Sequence, residues 1–425
     1  MSGPVPASAE AVAGGQALEI AQRLLDPASV LAAAPGDASL GSGLAGTALL
    51  HARLAVTDPM FAAAAARHWT AAAARAQRGA GGIYTGPGAL AASLIIAVPY
   101  LPDPGPHHAV AARGAAWLSR RALDISTQHR QRASAGTAGT PWQVYDAVTG
   151  LSGIGRVLLA ALASGHDHTG PGLTAVLATL TAMISNPGSG TRPGWWLPPD
   201  RHPPGVAVHP SGAATTGMAH GIAGVVAFLS AARSAGREVC GQAAAIGQAA
   251  GWLARWRDPH SGSWPPFLSG DELARAPQDA AAPGRRDAWC YGTPGIGAAL
   301  VLAGRALADP ALGRIGEAAV AALADRPAQS WDVTGPTLCH GYAGVLQAAR
   351  LTGARATTTQ AANAVTAAFD PGLPFAVPHH LSDRHYDSRP GFLTGAAGVA
   401  LALADYARLP APPVTATWDA ILLLS

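Results

Sequence analysis

The sequence predicts an all-α protein, and three observations carry that reading. Alanine and glycine are abundant in a 425-residue chain of which 49% is hydrophobic and only 12% charged. Ala-rich runs of this kind favour helix over strand. A Gly-x-x-Gly step recurs along the chain, each time opening an apolar run with helical spacing, while strand-like alternation is scarce.

Taken in order, residues 1–15 read as a loose tail, and a helix is expected from near Gln16, where Leu18, Ile20, Leu24 and Leu25 have helical spacing. The punctuation then begins. Gly43-Leu44-Ala45-Gly46 leads into Thr47-Ala48-Leu49-Leu50, and a weaker copy, Thr85-Gly86-Pro87-Gly88, leads into Ala89-Leu90. Further copies start at Gly150, Gly221, Gly292, Gly341 and Gly395, making seven at intervals of roughly 40 to 70 residues. Each interval has room for two helices and a loop, and second helical segments are expected at Gln242–Trp256, Gly304–Ala324 and Thr359–Phe369. A repeated unit of this kind cannot bury its apolar face alone. Because the first and last copies are ordinary members of the series, without polar capping repeats, the seven pairs are expected to close into a toroid. A single domain over 16–425 follows, with rim loops near 99–107, 186–216, 261–286 and 371–389. Their Trp195-Trp196, Trp264-Pro265-Pro266 and His379-His380 groups suit packing, so these loops are expected to be ordered.

Composition bounds the function. A net charge of +3 with dispersed arginines does not support a nucleic-acid groove. Three cysteines make no disulfide scaffold and fit a reducing compartment, with motif cysteines serving metal or catalysis. The N-terminus lacks a signal-peptide pattern and no apolar run is long enough to span a bilayer. A soluble, cytoplasmic protein is the expectation.

Aligning the copies on their first glycine gives what composition could not. Cys290 and Cys339 both lie two residues before it; His220, Tyr291 and His340 lie one before; Asp146 lies four before. Equivalent positions in a ring of helix pairs share one rim, so residues from four copies should converge there. Cys290, Cys339 and His340 form a two-sulfur, one-nitrogen set that suits tetrahedral Zn²⁺, and three ligands leave the open fourth position of a catalytic site. Cys240, out of register, reads as a buried residue within a helix. His220 reads as an active-site residue ahead of a helix-start residue, and Asp146 equally as a helix cap or an active-site carboxylate. Arg286 and Tyr291 gain little from spacing alone. His51, His68 and the pairs His107-His108 and His379-His380 follow no pattern, and most are expected to face solvent.

At Ala219-His220-Gly221, Trp289-Cys290-Tyr291-Gly292, Cys339-His340-Gly341 and Phe392-Leu393-Thr394-Gly395 the chain resembles the lanthionine synthetase C-like family, over roughly residues 16 to 408. The resemblance implies an α/α toroid of seven inner and seven outer helices, with a zinc ion held by Cys290, Cys339 and His340. It also implies active-site roles for Asp146, His220, Arg286 and Tyr291. The expected reaction is zinc-dependent addition of precursor-peptide cysteine thiols to dehydroalanine or dehydrobutyrine, giving (methyl)lanthionine rings. No kinase-like or dehydratase-like region precedes the repeats, so a stand-alone cyclase is expected. Its partners would be the dehydrated precursor peptide, a separate dehydratase and a transporter. The rivals are a related toroid that adds other thiols, such as glutathione, and a non-catalytic peptide-binding toroid. Protein prenylation would need an aspartate among the ligands, and a glycosidase would need paired carboxylates, for which the rim offers chiefly Asp146 and Asp287.

Overall fold

The computed structural model describes residues 8–35, 37–75, 81–186, 191–203, 209–275, 286–382 and 385–425. In chain order its helices begin with α1 (Ala9–Arg23), α2 (Pro27–Ala33), α3 (Leu44–Arg53), α4 (Pro59–Arg75), α5 (Gly86–Ala97) and α6 (Gly105–Ser134). They continue with α7 (Trp142–Tyr145), α8 (Leu151–Ala163), α9 (Gly170–Ser185), α10 (Ile222–Ser234), α11 (Gln242–Arg255) and α12 (Gly270–Leu273). The last are α13 (Thr293–Leu307), α14 (Pro310–Ala321), α15 (Tyr342–Thr352), α16 (Arg355–Ala367) and α17 (Ala396–Tyr406).

Every Gly-x-x-Gly copy opens one of the helices α3, α5, α8, α10, α13, α15 and α17. Each of these packs on the next, and α17 packs on α3, so the seven close into an inner ring. Of these, α3, α8 and α10 are buried over almost their whole length, as a helix enclosed on all sides must be. Outside them stand α4, α6, α9, α11, α14 and α16, each against its own inner partner, while α1 packs on α17 and completes the outer layer. The toroid expected from the sequence is the architecture found.

Several local expectations need correction. Helix α1 starts at Ala9, not near Gln16, because the Ser8 hydroxyl accepts from Ala11 N at 3.2 Å and Ala13, Gly14 and Ala17 are buried against the closing helix. Residues 1–7 of the expected tail lie outside the described residues. The 99–107 loop shrinks to four residues, since Val98–Tyr100 forms a 3-10 turn and α6 begins at Gly105. The single segment expected over Gly304–Ala324 is two helices, α13 and α14. Ala308 adopts a left-handed conformation between them, and Asp309 caps the second, with Pro310 at its first position. Cys240 is neither helical nor buried; it sits exposed in the turn before α11. The remaining rim loops hold small antiparallel sheets. Strands β1 (Trp196–Leu197), β2 (Ala213–Thr215) and β3 (Phe267–Ser269) pair in that order, and β4 (His379–Ser382) pairs with β5 (His385–Asp387). Among the described residues no helix is long and apolar enough to cross a membrane.

The middle of the ring is filled by the chain's own last residues. Trp418, Ile421, Leu422, Leu423 and Leu424 are buried, and backbone carbonyls there accept from side chains of separate repeats. Tyr84 Oη donates to Ile421 O at 2.9 Å, Trp289 Nε1 to Leu422 O at 2.9 Å and Arg156 Nε to Ser425 O at 2.8 Å. Nothing in the periodicity of residues 411–425 announced this plug, because the hydrogen bonds that seat it in the ring come from distant parts of the chain.

His51 and His68 are buried, contrary to expectation. The His51 ring donates to Leu24 O at 2.9 Å and stacks on Phe61, and His68 Nδ1 lies 2.6 Å from Thr47 Oγ1. Burial, with the neighbouring ring adding for His51, lowers their pKa values to about 3 and about 4. The unfolded chain therefore binds more protons than the folded one below about pH 6.5, and stability falls as the pH drops from there towards 4. Each group contributes up to about 1.4 kcal/mol per pH unit in that window. Urea unfolding at pH 7 and pH 5 should show lower stability at pH 5, with a smaller difference in a His51→Gln/His68→Gln variant. Equal pH dependence in the two proteins would refute the assignment.

Candidate active site

The repeats are joined by a closed circuit of backbone hydrogen bonds just ahead of the inner helices. Ile83 N donates to Val148 O, Ala147 N to Ala219 O, Ala219 N to Cys290 O and Cys290 N to Cys339 O. Cys339 N then donates to Leu393 O, Leu393 N to Gly41 O and Leu40 N to Tyr84 O, all at 2.8–3.1 Å. Both motif cysteines are links in this circuit, which is why their shared register matters: the backbone pairing sets side chains from different repeats beside one another.

The second glycine of each step makes the circuit possible. The pre-helix loop folds over the first turn of its own helix so closely that a Cβ on Gly295 would lie 2.2 Å from Trp289 O, and one on Gly344 2.1 Å from Leu338 O. Gly295→Ala must therefore push the Trp289-Cys290 loop outward. It should destabilise the protein by roughly 1–3 kcal/mol, as overpacking does, and weaken metal binding. A thermal midpoint and zinc affinity equal to wild type would contradict this.

The ligand atoms of Cys290, Cys339 and His340 all lie within 4.8 Å of one another, with Cys290 buried and the others partly so. Sulfurs sharing a tetrahedral zinc at about 2.3 Å sit roughly 3.8 Å apart, so the cluster is of the right size, and its two sulfurs and one imidazole fit the ion chemically. Even without an ion the thiols are polarised. A hydrogen bond from Cys339 lowers the Cys290 pKa to about 5; burial opposes this, while His340 and the nearby Arg286 charge assist. The same contact raises Cys339 well above the ordinary thiol range.

On the adjoining loops, His220 Nδ1 lies 2.7 Å from Asp146 Oδ2, with the His220 side chain 28% exposed and Asp146 buried. Asp146 caps a helix start and also faces the imidazole of His220. Its Oδ1 accepts from the backbone N–H groups of Val148, Thr149 and Gly150 and so fixes the start of α8, while Oδ2 faces the imidazole. A carboxylate that accepts from Nδ1–H leaves Nε2 as the ring nitrogen free for chemistry. Trp142, in the short α7, stacks on His220 with centroids 4.8 Å apart and planes at 17°, fixing the ring plane from one side. Tyr291 lies 6.3 Å away, centroid to centroid. Burial first, then the neighbouring Tyr145, raises its phenol far above the ordinary range, so it is a neutral donor and not a base.

Arg286 is held differently from the others. Its guanidinium pairs with Asp332 at 3.2 Å, and its carbonyl accepts from Thr293 N at the start of α13. It is close enough for its charge to act on both cysteines, but its hydrogen bond points to Asp332. Asp287, the second carboxylate weighed for glycoside chemistry, is buried against Arg326 at 2.8 Å and accepts from Asp332 N. It holds the rim together and does not oppose Asp146 as a catalytic pair.

Two residues near the site escaped sequence reasoning. Trp142 lies in no repeat, and no spacing points to it. Tyr84 does have a signal: Thr85 occupies the first-glycine position of the second copy, which puts Tyr84 in register with His220, Tyr291 and His340. The missing glycine hid it. It is buried, its pKa raised by burial and then by the neighbouring Cys339 and Asp146 charges, and it links the site to the plug.

Residues 34–423 match the family described as "Lanthionine synthetase C-like protein". Among solved structures the fold is similar to one titled "Nisin cyclase", with a TM-score of 0.73, 20% identity and 92% of each chain covered. No curated protein matches at the sequence level.

Proposed function

The chain belongs to the lanthionine synthetase C-like family, and from that premise we propose that it is a zinc-dependent peptide cyclase. It adds cysteine thiols of a dehydrated precursor peptide to dehydroalanine or dehydrobutyrine, forming (methyl)lanthionine thioether rings. The observation that carries this reading is the juxtaposition, on hydrogen-bonded neighbouring loops, of a three-ligand Cys290/Cys339/His340 cluster and an Asp146–His220 pair. One group suits holding a soft nucleophile, the other suits moving a proton, and thiol addition to an activated alkene needs both.

A free thiol, with a pKa of about 8.5, is mostly protonated at neutral pH. A zinc ion held by the three side chains would supply the positive charge that keeps a substrate sulfur deprotonated. The thiol proton passes to His220 Nε2, the nitrogen that Asp146 leaves free. The sulfur forms its bond to the β-carbon, the alkene π pair shifts towards the carbonyl as an enolate, and His220 returns a proton to the α-carbon. The proton lost by sulfur is thus regained by carbon, and no further reactant is consumed. Tyr291, a neutral phenol beside His220, and Arg286 are placed to stabilise the enolate or the groups around it. The alkene must exist beforehand, so a dehydration of serine or threonine precedes the cyclisation. Two reduced cysteines at the centre suit a cytoplasmic setting.

The test is zinc content together with incubation of the protein with a dehydrated, cysteine-bearing peptide. The expected result is about one zinc per chain and loss of free thiols without mass change, with thioether crosslinks on fragmentation. Addition of external glutathione in preference to the internal cysteine would move the protein to a different thiol-addition reaction. A metal-free, inactive protein would leave only a binding role.

A further inference from the structure

We propose that the cavity beside His220 is a subsite for a large apolar side chain of the substrate peptide, at a residue flanking the dehydrated one. The inference rests on the cyclase reading but goes beyond it, because that reading says nothing about which peptide sequences are accepted.

The cavity measures ≈ 430 Å³, and its walls include Trp142, Thr215, His220, Pro266, Phe267 and Tyr291. Three separate parts of the chain build it. Trp142 comes from α7, ahead of the third repeat. Thr215 and Phe267 face one another in the β2–β3 ladder, and Tyr291 comes from the loop that also carries Cys290. The small sheet thus has a consequence that a plain rim loop would not: it closes an apolar wall directly against the imidazole.

The chemistry of the walls selects the occupant. Thr215 Oγ1 already donates to His220 O at 2.7 Å and lies 2.8 Å from Tyr145 Oη, so it offers little to a polar ligand. The other walls are the rings of Trp142, Phe267 and Tyr291 with Ala213 and Pro266, and the polar edges are His220 and His202. The His202 ring already donates from Nε2 to Leu197 O at 3.2 Å, which leaves the neutral ring only an acceptor nitrogen. A carboxylate placed there would lose its hydration without a compensating partner, whereas an apolar side chain loses nothing. Size then separates the candidates within the peptide. The additional methyl of dehydrobutyrine would leave most of ≈ 430 Å³ empty, while a leucine or phenylalanine side chain from the next residue would fill far more of it. Because His220 is part of the wall, a side chain seated here would fix the distance between the alkene and the proton donor.

The experiment uses two dehydrated peptides that differ only at the residue flanking dehydroalanine, phenylalanine in one and aspartate in the other, with the zinc-loaded full-length protein. The phenylalanine peptide should be cyclised with kcat/KM roughly 10–100-fold higher, the range that apolar pocket contacts provide. Phe267→Ala should reduce that preference to less than about threefold, with Phe267→Leu restoring most of it. The same pair with serine in place of dehydroalanine, which cannot react, is titrated calorimetrically against wild type. Tighter binding of the phenylalanine form without any turnover would support the subsite while overturning the cyclase reading. Equal turnover and equal binding of the two peptides would overturn the subsite and leave the cyclase reading standing. Should the Phe267 variants fail to fold, the comparison of the two peptides on wild type decides alone.

Discussion

Cys290→Ala or Cys339→Ala will remove bound zinc and cyclisation together, with the fold retained. The separation is possible because each cysteine has two distinct functions. Its backbone is a link in the circuit joining the repeats, Cys290 N to Cys339 O and Cys339 N to Leu393 O, and alanine preserves those bonds. Its sulfur is one of the three ligand atoms that cluster among the described residues, so each replacement leaves a two-ligand remnant that cannot hold zinc tightly. Loss of the ion forfeits several kcal/mol of charge stabilisation, or about 10²–10⁴-fold in rate at ~1.4 kcal/mol per factor of ten. His340→Ala should behave in the same way. Cys240→Ala is the internal control: the residue is exposed in the turn before α11, and its loss should change neither zinc content nor rate. The readouts are metal analysis, the far-UV spectrum with its melting midpoint, and peptide thiol consumption. Full cyclisation by a zinc-free Cys339→Ala protein would sink the metal assignment.

The ring was legible because its signal is local and repeated. Each inner helix begins with a step that must keep its second glycine, since the carbonyl six residues earlier lies where a Cβ would go, 2.2 Å away for Gly295 and 1.9 Å for Gly398. The Cys290/Cys339/His340 grouping was legible for the same reason, because Cys290 and Cys339 share a position relative to that glycine. What stayed hidden depends on tertiary contact alone. The histidines expected in solvent illustrate this: His51 and His68 are buried and bond a backbone carbonyl and a threonine hydroxyl that no spacing reveals. The plug hides likewise, since its partners Tyr84, Arg156 and Trp289 lie 133 to 337 residues away from the carbonyls they bind. Trp142 shows the limit most sharply, for it orders His220 by stacking and belongs to no repeat. Cys240 failed in the opposite sense: burial was inferred from residue type, but the helix starts after it.

His220→Ala will keep zinc and lose cyclisation, the converse of the cysteine variants. The imidazole is outside the ligand cluster, and its Nδ1 is already engaged by Asp146 at 2.7 Å, so in the proposed mechanism its removal takes away the proton carrier and leaves the three ligands in place. A positioned acid–base group contributes about 10²–10⁴-fold, and that is the expected fall in rate. Asp146→Asn gives a finer test, because the two oxygens of Asp146 do different things. An asparagine carbonyl can still accept from Thr149 N and Gly150 N, which now bind Oδ1 at 2.6 and 2.7 Å, so the start of α8 should survive. The amide NH₂, however, would take the place of Oδ2 and donate to Nδ1. The proton would then reside on Nε2, which could no longer accept one from a thiol. Asp146→Asn should therefore approach the rate defect of His220→Ala, and the pH dependence of the residual rate should change from wild type, while zinc content and melting midpoint stay close to it. A cap alone predicts a different pattern, with the rate and the pH profile of Asp146→Asn both close to wild type, since asparagine caps as well as aspartate. If His220→Ala cyclises a dehydrated peptide at the wild-type rate, proton transfer belongs to another group; Tyr291, whose neutral phenol lies 6.3 Å from that ring centroid to centroid, would be the next to replace, with phenylalanine.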